Sequence, residues 1–331
     1  MSSFRAAVLG SPIAHSLSPV LHRAAYAALG LPGWTYDAHE VDEAGLPGFI
    51  ARLGPEWAGL SLTMPLKRVA LEVAGSVADS AAAIGAANTL VPGPDGWLAS
   101  NTDITGLVVA LRRARAGAGS AATGGPDDGE VAGTRAAGTR AAGTGAGPTG
   151  ASGTGAGGTG VSAPDGGGIG GRAVVLGAGG TAQAAIAALA ELGVADVTVL
   201  VRDASRADAL RQTAARLGLS PTISPVLGDT VDAARELDGA DVVISTLPAG
   251  AADELAGARW RPGVTLLDAV YAPWPTALAG GAAAGGATIV SGLEMLLHQA
   301  VAQVELMTGR PGPEPAMRAA LDEAVLARAR S

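Results

Sequence analysis

In the N-terminal part of the chain, short apolar runs of strand type alternate with longer stretches of helical period: RAAVLG, SPVLHRAAYAALG, WTYDAHEV, EAGLPGFIARLG and GLSLT. Apolar residues on alternate or consecutive positions favour strands, whereas recurrence every three to four residues favours one buried helix face. The alternation predicts βαβ units and a mostly parallel sheet. Ser18 and Pro19 suit the cap and first position of a helix. NTLVPGPDGWLASN reads as two strands joined at Pro94, Asp95 and Gly96, an edge hairpin. The pattern restarts at RAVVLGAGG, with a helix from Thr181 to Leu192, a strand DVTVLV, a helix through Ala214, strands in GADVVISTLP, VTLLDAVY and ATIV, and a long helix from Leu293 to about Thr308. That is the order of a second, doubly wound sheet. A last helix from Glu314 to Arg330 could pack on either half.

Between the two patterns, residues 117–170 consist mainly of Gly, Ala, Thr and Ser. Few branched or aromatic side chains are available there to offset the entropy of ordering the backbone, so the composition predicts a flexible, disordered insert. The expected architecture is therefore α/β with two domains. Residues 1–116 would form the first, 117–170 the insert, and 171–291 a Rossmann-type nucleotide-binding domain.

Composition narrows the chemistry mainly by exclusion. The 331 residues carry a formal net charge of −8 and no cysteine. Nucleic acid and anionic membrane surfaces are poor partners for such a chain, and thiolate catalysis, disulfides and cysteine-ligated metal are excluded. No histidine pair or carboxylate cluster has metal-ligand spacing, so no metal is expected. The uncharged stretches Ala173 to Ala190 and Ala269 to Leu293 are interrupted by Gly or Pro and do not read as membrane spans. The opening residues MSSFRAAVLGSPIAHS lack the long apolar core of an export signal, which makes the cytoplasm the expected compartment.

Gly177, Gly179 and Ala182 form G-x-G-x-x-A between an apolar strand and a helix, with Gly180 in the same loop. The first glycine allows a tight turn, the second lets backbone approach a pyrophosphate, and the small third residue lets helix pack on strand. After the next strand come Arg202, Asp203 and Arg206. Two guanidinium groups suit the 2′-phosphate of NADP(H), while a carboxylate at this place suits the free ribose hydroxyls of NAD.

Polar residues also fall where N-terminal strands should end: Ser16 and Ser18, Thr63 and Lys67, Asn88, and Asn101 with Asp103. Ligands of α/β sheets bind beyond the carboxyl ends of strands, so these groups could converge on a small polyhydroxy compound. Singly, each has a plainer reading. Ser18 could cap a helix, Lys67 could be an exposed helix residue, and Asp103 could cap the helix through Gly106.

GSPIAHSLSP, LTMPLK, AANTL and NTD, followed by LGAGGTAQA and SGLEMLLHQA, together resemble the motifs of the shikimate dehydrogenase family in family order. The resemblance implies NADPH-dependent reduction of 3-dehydroshikimate to shikimate. It implies that Ser16, Ser18 and Tyr271 hold the substrate carboxylate, that Thr63, Asn88 and Gln299 address ring hydroxyls, and that Lys67 and Asp103 are the catalytic pair. Gly292 would belong to the cofactor side, and residues 1–116, completed by helices in 292–331, would form the substrate-binding domain. Ser61 stands where many members have Asn, Val201 where Asn is usual, and Asp203 where Thr is common. A monomer or homodimer acting on a small molecule is expected. Two other readings stay open: a quinate/shikimate dehydrogenase using NAD, and a non-catalytic paralogue that only binds a metabolite.

Overall fold

The computed structural model describes residues 3–122 and 169–330. Most of the expected insert, 123–168, lies outside them. The helix before it, α5 (Asp103–Ala122), runs past the compositional boundary at Gly117. A helix already nucleated by packed turns extends through further residues at little cost, and three of the last five, Ala118, Ala121 and Ala122, are good helix formers.

The first sheet holds β1 (Phe4–Gly10), β2 (Trp34–Glu40), β3 (Trp57–Leu62), β4 (Ser76–Val77), β5 (Thr89–Gly93) and β6 (Gly96–Ser100), in the order β2-β1-β3-β5-β6-β4. β1 is parallel to β2 and β3, whereas β5 runs antiparallel to β3 and to β6. The hairpin is therefore present but is not the edge, because β4 pairs in parallel with β6 beyond it. Helices α1 (Ser18–Ala28), α2 (Leu46–Ile50), α3 (Ala70–Val73) and α4 (Asp79–Ile84) connect the strands. α2 is much shorter than the EAGLPGFIARLG pattern suggested. Pro55 disfavours a helical Gly54, and Arg52 and Leu53 instead close tight turns onto Phe49 and Ile50.

The second sheet is parallel throughout. It comprises β7 (Arg172–Leu176), β8 (Asp196–Leu200), β9 (Thr222–Ser224), β10 (Val242–Ser245), β11 (Thr265–Asp268) and β12 (Thr288–Ser291), ordered β12-β11-β10-β7-β8-β9. Strand order reverses between β7 and β10, which opens a crevice at their carboxyl ends. Helices α6 (Gly180–Glu191), α7 (Asp208–Arg216), α8 (Thr230–Leu237) and α9 (Ala277–Ala284) flank it. The strands β10 and β11 are buried along their whole length, as expected where helices cover both faces. In α6 every residue from Ala182 to Leu189 is buried. Small side chains let α6 lie between the sheet and α5, whose Leu107, Val108 and Leu111 share its core.

Two helices end the chain, α10 (Gly292–Thr308) and α11 (Glu314–Arg328). Both return to the first sheet: Leu297, Val304, Met317 and Leu321 pack with Ala6, Val8, Leu21 and Tyr36. Arg318 forks onto Glu294 at 2.6 and 2.9 Å, and Arg113 forks onto Glu314 with both bonds at 2.6 Å. These pairs tie α5, α10 and α11 together outside the apolar contacts.

Candidate active site

A cleft of about 350 Å³ lies at the carboxyl end of β3, and all eight residues expected to carry substrate binding or catalysis line it: Ser16, Ser18, Thr63, Lys67, Asn88, Asp103, Tyr271 and Gln299. Chain direction explains the convergence. β1, β3 and β6 end on the same side, and the loops leaving them turn toward the ends of α5 and α10.

At the floor, Lys67 Nζ donates to Asp103 Oδ2 at 2.5 Å. Asp103 is the first residue of α5, where the exposed amides of the helix N-terminus favour a carboxylate. Asn88 Nδ2 donates to the other carboxylate oxygen at 2.9 Å, and the Asp103 amide donates to Asn101 Oδ1 at 3.0 Å. Both oxygens of Asp103 are thus held, while the Lys67 ammonium keeps N–H groups for a ligand. Among the described residues, the side chains of Thr63 and Tyr271 make no hydrogen bond within the protein. Gln299 Nε2 donates to the Leu296 carbonyl at 2.9 Å, and its Oε1 lies 3.4 Å from Asn88 Nδ2. The Asn88 amide is the most heavily engaged of the set: its Oδ1 also accepts from the Thr102 amide and the Thr89 hydroxyl, each at 2.8 Å.

Ser18 does not cap α1. Leu17 occupies the cap position without a side-chain bond, and Ser16 Oγ, two residues earlier, accepts from the Ser18 amide at 3.3 Å. With the helix beginning at Ser18, that residue has helical backbone and cannot bend its hydroxyl onto later amides as a preceding extended residue can. Both hydroxyls therefore border the N-terminus of α1, a setting favourable to an anion. His15 is exposed at the rim, and its backbone carbonyl accepts from Arg328 of α11 at 3.1 Å.

The glycine loop opens onto the same cleft through Thr181, which lines it beside Gly292. Gly177 has φ +100°, and a Cβ there would stand 2.8 Å from Thr246 Oγ1, so both backbone and space demand glycine. Above Gly179 and Gly180 the space is open, leaving the first amides of α6 accessible to an anion. Ala182 is fully buried and contributes by packing helix on strand. Gly292 meets the Ala269 backbone so closely that no side chain fits.

Arg202 and Arg206 are exposed and form no hydrogen bond or ion pair among the described residues. Asp203 lies between them with one carboxylate oxygen engaged: Oδ1 accepts from the Ser205 hydroxyl at 2.7 Å and the Ser205 amide at 2.9 Å, capping a 3₁₀ turn, Ala204–Ala207. Those hydrogen bonds, helped by the charge of Arg206, hold its carboxyl below the ordinary carboxylate range. Open amides at the start of α6 and two unpaired guanidinium groups fit a phosphorylated dinucleotide.

Sequence reasoning missed the layer beneath the cleft. Ser61 and Gln303 also line it, and Tyr36 donates to Ser61 Oγ at 2.6 Å from a fully buried position. A signal existed for Gln303, which follows Gln299 by four residues on the same helix face.

A pair of α/β domains, with a dinucleotide crevice opening onto a polar cleft that holds a Lys–Asp pair, defines a nucleotide-dependent oxidoreductase. The sequence profile of the Shikimate dehydrogenase substrate binding domain matches residues 8–90, that of the Shikimate 5′-dehydrogenase C-terminal domain residues 292–321, and that of the Saccharopine dehydrogenase NADP binding domain residues 173–290. Shikimate dehydrogenase (NADP(+)) of Maricaulis maris is 33% identical over 335 residues, covering 99% of this chain and 98% of that protein. Among solved structures, shikimate dehydrogenase of Mycobacterium tuberculosis is 39% identical with a TM-score of 0.74, covering 97% of this chain and 99% of that one. The Thermus thermophilus enzyme in complex with NADP(H) and shikimate is 29% identical with a TM-score of 0.69, again over 97% and 99%. The chain belongs to the shikimate dehydrogenase family.

Proposed function

We propose that this chain catalyses the reversible, NADPH-dependent reduction of 3-dehydroshikimate to shikimate in aromatic amino acid biosynthesis. The observation that carries the proposal is the Lys67–Asp103 pair, 2.5 Å apart and facing a cleft lined with hydroxyl and amide groups. Residues 1–116 with 292–331 would form the substrate part, and residues 171–291 the cofactor part. Among the described residues no helix is long and apolar enough to cross a membrane. We assign the protein to the cytoplasm, acting as a monomer or homodimer on a small molecule without nucleic acid or a metal.

NADPH, when bound, supplies a hydride to the ketone carbon. The chain acts at the oxygen, where negative charge collects. Lys67 Nζ, steadied by Asp103, offers an N–H to that oxygen and gives it a proton, leaving a neutral alcohol. In the reverse direction Lys67 takes the proton back. Ser16 and Ser18 would bind the carboxylate at the start of α1, joined by the Tyr271 hydroxyl, which is free of partners within the described protein. Thr63, Asn88 and Gln299 would meet the ring hydroxyls and set which carbon faces the nicotinamide. Gly177, Gly179 and Gly180 would admit the pyrophosphate, Ala182 would hold the loop to the sheet, Gly292 would leave room beside it, and Arg202 and Arg206 would grip the 2′-phosphate.

An NAD-linked role is disfavoured by the two exposed, unpaired guanidinium groups of Arg202 and Arg206, while one oxygen of Asp203 is turned onto Ser205. A silent binding paralogue would have no need of an intact pair for proton transfer. The deciding experiment follows reduced-cofactor absorbance with shikimate or quinate and NADP or NAD. Turnover should be fastest with shikimate and NADP; no turnover of shikimate with either cofactor would overturn the proposal.

A further inference from the structure

Gln303 sits on α10 one turn beyond Gln299, with 1% of its surface exposed. Its Nε2 lies 3.1 Å from the Asn88 backbone oxygen and 3.0 Å from Thr89 Oγ1, and its Oε1 lies 2.8 Å from Ser61 Oγ and 3.3 Å from His22 Nε2. A backbone carbonyl can only accept, so the Asn88 oxygen fixes which end of the amide is nitrogen. Gln303 therefore donates toward β5 and accepts from Ser61 and His22.

That polarity passes on to the cleft. Thr89 Oγ1 accepts from Gln303 and turns its own proton to Asn88 Oδ1, 2.8 Å away. The Thr102 amide donates to the same oxygen at 2.8 Å. With its oxygen held by two donors, Asn88 points Nδ2 at Asp103, whose far oxygen receives Lys67. A reversed Asn88 would set its oxygen against the Asp103 carboxylate, an arrangement of two acceptors. Gln303 thus reaches the Lys–Asp pair through two side chains without touching either member.

We propose that Gln303 is a positioning residue for the Lys67–Asp103 pair, acting through Thr89 and Asn88. This rests on the reading of that pair as catalytic.

The test is a kinetic cycle on the full chain: wild type, Gln303→Leu, Thr89→Val and the double variant, with folding checked by circular dichroism. Each single change should lower kcat about tenfold, the scale of one lost hydrogen bond, while the KM for shikimate stays within about threefold. The double variant should be no slower than the slower single variant, because both changes cut one path. Thr89→Ser keeps the hydroxyl and should recover most of the kcat lost in Thr89→Val, which a packing role would not predict. Losses that multiply in the double variant, or wild-type kcat in a folded Gln303→Leu protein, overturn the proposal. If Gln303→Leu does not fold, Gln303→Glu serves in its place, since it keeps the shape and replaces the donor with an acceptor. Lys67→Ala is assayed alongside. If it keeps turnover, the catalytic reading falls; if it is inactive while the cycle multiplies, only the positioning role falls.

Discussion

The carboxylate of Asp203 accepts two hydrogen bonds from Ser205, one from its hydroxyl at 2.7 Å and one from its amide at 2.9 Å, and so caps the turn that carries Arg206. A residue whose charge would oppose a phosphate thus also shapes the backbone that carries Arg206. Asp203→Thr, which can still cap, should leave the specificity constant for NADPH unchanged or modestly raised. Asp203→Ala, which cannot, should lower it. Equal constants for the two variants would show that the cap does not shape this loop.

Arg202 tests phosphate recognition itself. A charge-assisted hydrogen bond is worth about 1.5 to 3 kcal/mol, so Arg202→Ala should reduce kcat/KM for NADPH by roughly tenfold to a hundredfold and that for NADH far less. Equal losses with both cofactors would assign the arginine to the adenine or to the fold.

Removal of the proposed proton donor should act mainly on turnover. In Lys67→Ala, kcat is expected to fall by roughly a hundredfold or more, the range for losing a general acid, with a smaller change in KM. Near wild-type kcat in the folded variant would sink the role of Lys67.

Gly106 sits where α5 crosses α10, and a Cβ there would lie 2.6 Å from the Met295 carbonyl oxygen and 3.2 Å from the Gln299 amide nitrogen. Gly to Ala within a helix ordinarily gains about 1 kcal/mol. Here the added atom meets backbone that cannot turn aside, and overpacking of this kind costs about 1 to 3 kcal/mol. Gly106→Ala should therefore be net destabilising and should lower activity, because Asp103 and Gln299 ride on the two helices. Gly117→Ala, in the same helix but with open space around it, should be neutral or stabilising. Denaturant titration of both variants decides the point.

His22 makes stability depend on pH. Burial, only partly opposed by its hydrogen bond with Gln303, pushes its imidazole down to about 3. The unfolded chain takes up a proton near its ordinary value of about 6.5, whereas the folded chain does not until about 3. This group therefore costs no stability above pH 6.5 and about 1.4 kcal/mol per pH unit as pH falls through that window. Glu294, held near 2 by its bonds to Arg318, contributes stability above about 4.5 that is lost as pH falls toward 2. Urea titrations of wild type and His22→Asn should show their stability difference narrowing between pH 7 and pH 4; a constant difference would mean that His22 takes up its proton over the same pH range in the fold as in the unfolded chain.

Much of this molecule is legible along the chain because the signals are local. β7, the glycine turn and α6 are specified by adjacent residues, and the sites at Ser16, Lys67, Asn88 and Asp103 each sit in a short string at a strand end, where chain direction alone brings such residues to one side of a sheet. Local pattern misjudged α2, where Pro55 overrides the apolar period, and the start of α1, where Ser18 enters the helix and leaves Ser16 to accept its amide. The tertiary structure sets α10 and α11 on the first sheet, where the helical pattern leaves their partner open, since an amphipathic face does not name it. It alone joined Gln303 to Asp103 through Thr89 and Asn88. Hydrogen-bond direction depends on which donors and acceptors meet across distant strands and helices, and that meeting is a property of the packed core.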